Sequence, residues 1–332
     1  MGRRQGIALG IAWVASALAA CVSFGDLSGG EAADSGADSA STHADAGSDV
    51  GFPISKGGCN FATPFGTPQR LDSLDTKFSD QAPRLTSDQL SIFFSSNNLT
   101  GGDSGIGIFA ATRSTIAAPF GDASFVSALS TPGPAVSQPS VTGDGLTIYF
   151  QSQGNKDESG GDKSGTDIYF ATRANIDSAF GSPVSVSGVR YATINETPFI
   201  RADGNVLYFS SYDTTAGSIP KILRAVGNAG SFGPPSTEDE LNSGKPTASP
   251  VVTPDDLSIF YTTIAPGGLY EIYKGQRANV TEPFTNLQQV SELTSVGSAP
   301  AWVSADACTL YFYQVVGAST TDVDMYFATR PK

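Results

Sequence analysis

At 332 residues, the chain is long enough for one large all-β domain or two smaller ones. Its 19 Lys and Arg face 32 Asp and Glu, a formal charge of −13, and so acidic a surface repels phosphate backbones and excludes nucleic acid as a natural partner. The single histidine, His43, sits in low-complexity sequence beside only three cysteines in the whole chain, so a folded domain has no Ser-His-Asp triad, Cys-His pair or His/Cys zinc site to build.

The chain opens on a basic pair, Arg3-Arg4, followed by an apolar run from Ile7 to Leu18. That run is too short to span a bilayer and has the layout of a secretory signal. Its end, Leu18-Ala19-Ala20-Cys21, resembles a bacterial lipobox. The resemblance implies that Cys21 is the first mature residue and carries acyl chains, which bury enough methylenes for stable anchoring. The alternative is an ordinary signal peptide cut near Ala20. Val22, rather than Asp, follows the cysteine, which in diderm lipoproteins fits outer-membrane sorting. Residues 21–58 hold Asp26, Glu31, Asp34, Asp38, Asp45 and Asp49 amid Ser, Ala and Gly, with no Lys or Arg before Lys56. Such a segment cannot bury a core and reads as a disordered tether, with an end-to-end distance of roughly 35 Å.

From residue 59 onward one pattern recurs. Asp88, Asp144, Asp203, Asp255 and Asp306 each lead, six residues later, to the second member of an aromatic pair: Phe93-Phe94, Tyr149-Phe150, Tyr208-Phe209, Phe260-Tyr261 and Tyr311-Phe312. A proline stands five residues before the first four aspartates, at Pro83, Pro139, Pro198 and Pro250. Pro300 stands six before Asp306, which predicts a one-residue bulge there. A second strand follows in each unit, around Ile108, Ile168, Ile222, Ile272 and Met325, and Arg113, Arg173, Arg277 and Arg330 end four of them. The third unit departs, with Gly227 at that place and Arg224 nearby. These arginines are expected on the blade surface, paired with carboxylates. A Phe-Gly turn opens a last strand at Phe120-Gly121, Phe180-Gly181 and Phe232-Gly233, with Phe284-Thr285 as a weaker fourth.

The fifth unit ends soon after Arg330 and lacks this last piece. A matching piece, Pro64-Phe65-Gly66, precedes the first aspartate. The economical arrangement docks Phe65 and its neighbours beside Met325, which closes a ring and removes open sheet edges. The expectation is therefore an all-β chain: a five-bladed β-propeller with four-stranded blades over residues 59–332, closed by an N-terminal strand in the last blade. Cys59 and Cys308 fall in that closing blade, and in an exported chain two leftover cysteines are expected to pair. The alternative is two separate thiols, Cys308 serving as a core residue where the second unit has Leu146.

The order Pro, Asp-Gly, Leu-Tyr-Phe and Asp-Ile-Tyr-Ala-Thr-Arg resembles the WD40-like propeller repeat shared with TolB-type periplasmic proteins, from about Phe61 to the end. The resemblance implies a propeller and, often, protein binding in the envelope; some members fuse the propeller to a peptidase. The five anchor aspartates read as turn formers, because Asp side chains bond their own backbone two residues on. The loop at Asn155 and Asp157 begins like a calcium loop, but Thr166 stands where the bidentate acid belongs, so a solvated hairpin loop is preferred and no cofactor is expected. In similar propellers the position two before the blade proline faces the channel mouth; here it is Gln81, Ser137, Glu196, Ala248 and Ser298. A glycosidase needs two carboxylates at a set separation, and this ring offers only Glu196, with Glu158, Glu271 and Glu282 in other loops. Trp302 and the aromatic pairs read as blade-to-blade packing. The functional expectation is a monomeric, non-enzymatic, lipid-anchored propeller that binds an envelope protein or peptide, facing the periplasm or cell surface. The alternative is a carbohydrate-active or sugar-binding propeller using Glu196.

Overall fold

The computed structural model describes residues 58–97, 105–130, 133, 135–153, 165–265, 269–293, 297–316 and 322–331. The leader, Cys21, the tether up to residue 57 and the Asn155–Asp157 loop lie outside them. In the second unit, β6 (Ala135–Val141), β7 (Thr147–Gln153), β8 (Thr166–Thr172) and β9 (Val184–Ser185) pair antiparallel in that order. Tyr149 and Phe150 of β7 lie opposite Phe170 and Tyr169 of β8, and the rings stack at 5.9 and 6.3 Å. Cross-strand aromatic pairs of this kind favour antiparallel pairing. Strand alternation sends the two rings of the Tyr-Phe pair to opposite faces. Phe150 joins Phe93 and Ile108 of the first unit, whereas Tyr149 joins Leu207 and Phe209 of the third. The doublet in every unit thus packs one sheet against both neighbours.

The first unit is β2 (Asp80–Leu85), β3 (Ser91–Ser96), β4 (Gly107–Thr112) and β5 (Ser124–Phe125). The third is β10 (Ile194–Ile200), β11 (Val206–Tyr212) and β12 (Lys221–Asn228), with β13 (Ser231–Phe232) and β14 (Ser236–Thr237) both on β12. The fourth is β15 (Thr247–Val252), β16 (Ser258–Ile264), β17 (Tyr270–Gln276) and β18 (Thr285–Gln289). The second and third units are joined by two parallel bridges, Ile194 with Thr166 and Ser187 with Ser231. The third unit's departure has a local cause. β12 runs straight into a two-residue hairpin through Ala229 and Gly230, both at positive φ, a geometry that suits the strand twist. A Cβ at Gly230 would lie 2.0 Å from the Phe170 ring of the second unit, so glycine is required there.

In the last unit β19 (Ser298–Val303), β20 (Thr309–Val315) and β21 (Val323–Thr329) are completed by β1 (Gln69–Arg70), whose residues pair with Phe327 and Tyr326 of β21. The segment before β1 repeats the bonds of the other units. Gly66 N–H donates to Thr329 O, as Gly121 does to Thr112 O and Gly181 to Thr172 O. Leu71 N–H donates to Met325 O, as Val126 does to Ile108 O and Val290 to Ile272 O. Phe65 docks where expected because it is the missing Phe-Gly turn of the fifth unit. The innermost strands close a circle: β2 meets β6, β6 meets β10, β10 meets β15, β15 meets β19, and β19 meets β2. The bridge Cys59–Cys308 spans 249 residues and joins the closing segment to β20's turn.

Candidate functional site at the channel mouth

The anchor aspartates shape the turns at one end of the ring. In four units the carboxylate accepts from a hydroxyl two residues back and a backbone N–H two residues on: Thr142 and Leu146 for Asp144, Ser304 and Cys308 for Asp306. Asp88 and Asp255 repeat this with Thr86 and Thr253. Asp203 keeps the bond from Asn205 N–H but takes the Arg201 guanidinium instead of a hydroxyl, and this pairing pulls its carboxyl down to about 2.

The strand-ending arginines are not paired with carboxylates at the blade surface, where the sequence places them; among the described ion pairs only Arg277 of these has a carboxylate, the buried Asp256. Each folds back, and three send Nε–H to the carbonyl just after the anchor aspartate: Arg113 to Gln89, Arg173 to Gly145, Arg277 to Asp256. Each guanidinium also lies over the Phe of its own unit's last turn, at 4.4 Å from Phe120, 4.7 Å from Phe180, 4.2 Å from Phe284 and 3.9 Å from Phe65. The planar cation satisfies a turn carbonyl and an aromatic face at once, which a carboxylate in solvent could not match.

At the other end lies a cavity of about 70 Å³. Four residues preceding the blade prolines hold a backbone conformation rare for L side chains: Ala82, Gln138, Thr197 and Ser249, at φ 55, 54, 47 and 50°. The residue before proline normally favours extended geometry, so these are stored strain. Each sits at a one-residue bulge in the innermost strand. The turned backbone N–H of three of them reaches a neighbouring unit: Gln138 to Ser95 Oγ, Thr197 to Gln151 Oε1, Ser249 to Thr197 Oγ1. The fifth unit holds no extra residue: its inner strand carries the same one-residue bulge, between Pro300 and Trp302, and its proline simply stands one position earlier in the strand than in the other units.

This bulge corrects the expected ring. Glu196 and Ala248 line the cavity, but Gln81, Ser137 and Ser298 do not and are buried. The left-handed residues Gln138, Thr197 and Ser249 themselves line the cavity, beside Glu196 and Ala248 in the third and fourth units and in place of Ser137 in the second. Tyr313 and Gln151 complete the polar lining. Glu196 is the only carboxylate among the described lining residues. Protein encloses it, while the cavity leaves its side chain partly accessible, and this burial pushes its carboxyl from 4.5 up to about 7. Tyr313 is likewise pushed up by burial, partly offset by hydrogen bonds with Gln138 and Ser249.

A carboxyl whose folded-state value is raised stabilises the fold only while protonated. Its contribution is full below 4.5 and is lost as pH rises through about 7. Glu196→Gln is therefore expected to be more stable than the natural chain at pH 8, by on the order of 2–3 kcal/mol. The two should converge near pH 4. Urea unfolding at pH 4, 6 and 8 reads this directly, and equal midpoints at pH 8 would refute the burial argument. Glu238 and Asp324 are also raised, to about 7 and about 6, chiefly by burial, and contribute the same slope to both proteins.

No family model matches the chain, and no curated protein sequence matches it. Among solved structures, the GH43_1 enzyme from Xanthomonas citri is 13% identical at a TM-score of 0.53, over 79% of this chain and 90% of that one. The α-L-arabinofuranosidase PaAbf62A from Podospora anserina, in complex with cellotriose, is 10% identical at 0.51, over 81% and 98%. TolB from Acinetobacter baumannii is 17% identical at 0.49, over 77% of this chain, which spans 56% of that protein. At these identities the likeness concerns the fold, and it rests on the first two. The chain is an all-β propeller.

Proposed function

We propose that the chain is a non-catalytic propeller that binds an envelope protein or peptide at the channel mouth, held to the membrane by acyl chains on Cys21 through the 21–58 tether. One observation carries the reading: the mouth offers Glu196 among Gln138, Gln151, Thr197, Ser249 and Tyr313, with no second carboxylate among the described lining residues. Glycoside hydrolysis by the usual routes needs an acid and a base or nucleophile a set distance apart. The cavity of about 70 Å³ is also small beside the ~300–1,000 Å³ of ordinary ligand pockets. Hydroxyls, amides and a tyrosine suit hydrogen bonding to a backbone or polar side chain. The WD40-like repeat resemblance and the lipobox point to the same envelope setting.

The alternative keeps one observation in its favour. Glu196 is poised near neutrality, as a general acid would be, in a fold shared with the GH43_1 enzyme. One experiment separates the two. A photocrosslinker placed at Tyr270, on the cavity rim, is expected to join the acylated chain to one envelope protein in intact membranes. Arabinofuranoside and xyloside substrates are expected to remain uncleaved. Turnover that disappears in Glu196→Gln would replace the binding reading with the enzymatic one.

A further inference from the structure

At the opposite end of the axis from Glu196 lies a second cavity, of about 40 Å³. Its wall has the symmetry of the ring. Ser87, Gly143, Ala202, Pro254 and Ala305, the residues just before the five anchor aspartates, all line it. Leu85, Val141, Ile200, Val252 and Val303 form the next layer inward. The layer beyond holds Ser140, Phe199 and Trp302, and in the first unit Arg84.

Arg84 is 1% exposed and among the largest fully buried side chains of the protein. Its Nε–H donates to Pro139 O at 3.1 Å, and its guanidinium lies 4.9 Å from the Phe199 ring centroid. Nη1 has no hydrogen-bond partner among the described residues. None of the ion pairs among the described residues includes Arg84, although Arg70, Arg190, Arg201, Arg224 and Arg277 all have carboxylates. Burial lowers its affinity for the proton, to about 9, which leaves it charged at neutral pH. A buried cation without a counter-charge is costly, and a net-acidic chain had no shortage of carboxylates to supply one. The other units hold Ser, Phe, Val and Trp at this layer, so the ring does not require arginine there. The cavity, about 40 Å³, exceeds the roughly 10–15 Å³ that one water-sized occupant needs, and Ser87 and Ser140 are among its lining residues.

We propose that this cavity is an anion site, in which Arg84 holds one small monovalent anion of halide size on the propeller axis. The anion would tie the first unit to the second, third and fifth, whose Ser140, Phe199 and Trp302 share the layer. The same chemistry could be met by a carboxylate entering from a bound partner, and the two sources are separable because the halide needs no second protein.

Crystals of the purified chain soaked in sodium bromide test the site. An anomalous bromide peak within hydrogen-bonding reach of the Arg84 guanidinium is the expected result. Refined water there, with bromide only at the surface, would overturn the proposal, as would a carboxylate of another chain filling the cavity. In solution, the thermal midpoint of the natural chain should rise by about 3 °C between 0 and 100 mM chloride, at ionic strength held constant with gluconate. Arg84→Met should show no such rise. An equal chloride response in both proteins would place the effect elsewhere. If Arg84→Met does not fold, Arg84→Lys keeps the charge and should retain part of the response, and the bromide result stands without either variant.

Discussion

Phe65→Ala is expected to lower the stability of the propeller by about 3–5 kcal/mol, and deletion of residues 59–74 to remove the cooperative unfolding transition altogether. Phe65 is 5% exposed, though it stands outside any strand. Its ring lies 6.0 Å from Phe260 and under the Arg330 guanidinium at 3.9 Å. Its N–H donates to Glu292 Oε1 at 2.9 Å, and the next residue pins Thr329. The same short segment satisfies two buried cations: Arg330 Nη1 and Lys274 Nζ each donate to Phe61 O at 2.7 Å. Removing it exposes the core around Phe260 and leaves those cations without acceptors. It also frees the edge of β21, and open edges invite aggregation. The Cys59–Cys308 bridge closes a loop of 249 residues, for which the chain-entropy model gives about 5 kcal/mol. Reduction should therefore sensitise the chain to the Phe65 change. Urea unfolding followed by circular dichroism reads both effects. Phe125→Ala, on the outermost strand at 40% exposure, serves as the control and should cost under about 1 kcal/mol. If Phe65→Ala behaves like that control, the ring is not held at this seam.

The closing seam was readable in the chain because it is a repeat broken in two. A Phe-Gly without a unit at one end and a unit without its Phe-Gly at the other leave few alternatives once the period is seen. The turn role of the aspartates was readable for the same reason, since one recurs at the matched position of every unit and an aspartate side chain bonds the backbone two residues on. The arginines were misjudged because periodic spacing gives a residue's place in the unit and not its direction. A charged residue at a strand end suggests solvent, whereas here the Phe of the next turn, seven residues on, supplies the surface it lies against. At the mouth the repeat position holds for Glu196 and Ala248, while in the second unit the next residue, Gln138, lines the cavity instead of Ser137. Nothing in an X-Pro dipeptide suggests that X adopts φ near 50°, because the local preference points the other way; the ring of neighbouring strands imposes it. Glu196 could be found, since it is the one acid at its repeat position. Arg84 carries a fainter signal: an arginine following the blade proline, in an innermost strand whose other members are mostly apolar.

Asp256 was hidden by its neighbour. The repeat assigns the turn to Asp255, and position 256 corresponds to Gly145 and Gly204. The backbone there is left-handed in all three, at φ 61, 73 and 76°, and aspartate is among the few side chains that tolerate it. The Asp256 carboxylate is fully buried and gathers three arginines from two units. Arg277 Nη2 lies at 2.7 Å, Arg201 Nη1 at 3.3 Å and Arg224 Nη2 at 3.7 Å. Tyr208 O–H donates to Oδ1 at 2.8 Å and accepts from Arg277 Nη2 at 3.0 Å. This explains why the third unit's arginine lies at 224 and not at the strand end: it serves the seam with the fourth unit.

Asp256→Asn keeps the size and the tolerated backbone conformation but removes the charge. It leaves Arg277, at 3% side-chain exposure, without a carboxylate. Breaking a buried ion pair from one side costs about 3–5 kcal/mol, and that loss is expected in urea. Asp203→Asn removes a carboxylate from the same Arg201, but one that is 45% exposed, so solvent screening should hold the loss under about 1 kcal/mol. Asp256→Gly relieves the strained backbone yet deletes the same charge. If the charge is what matters, it should be nearly as damaging as Asp256→Asn. A glycine variant as stable as the natural chain would instead mean that the three arginines are content with water and backbone, and that the carboxylate is a tolerated occupant of a turn.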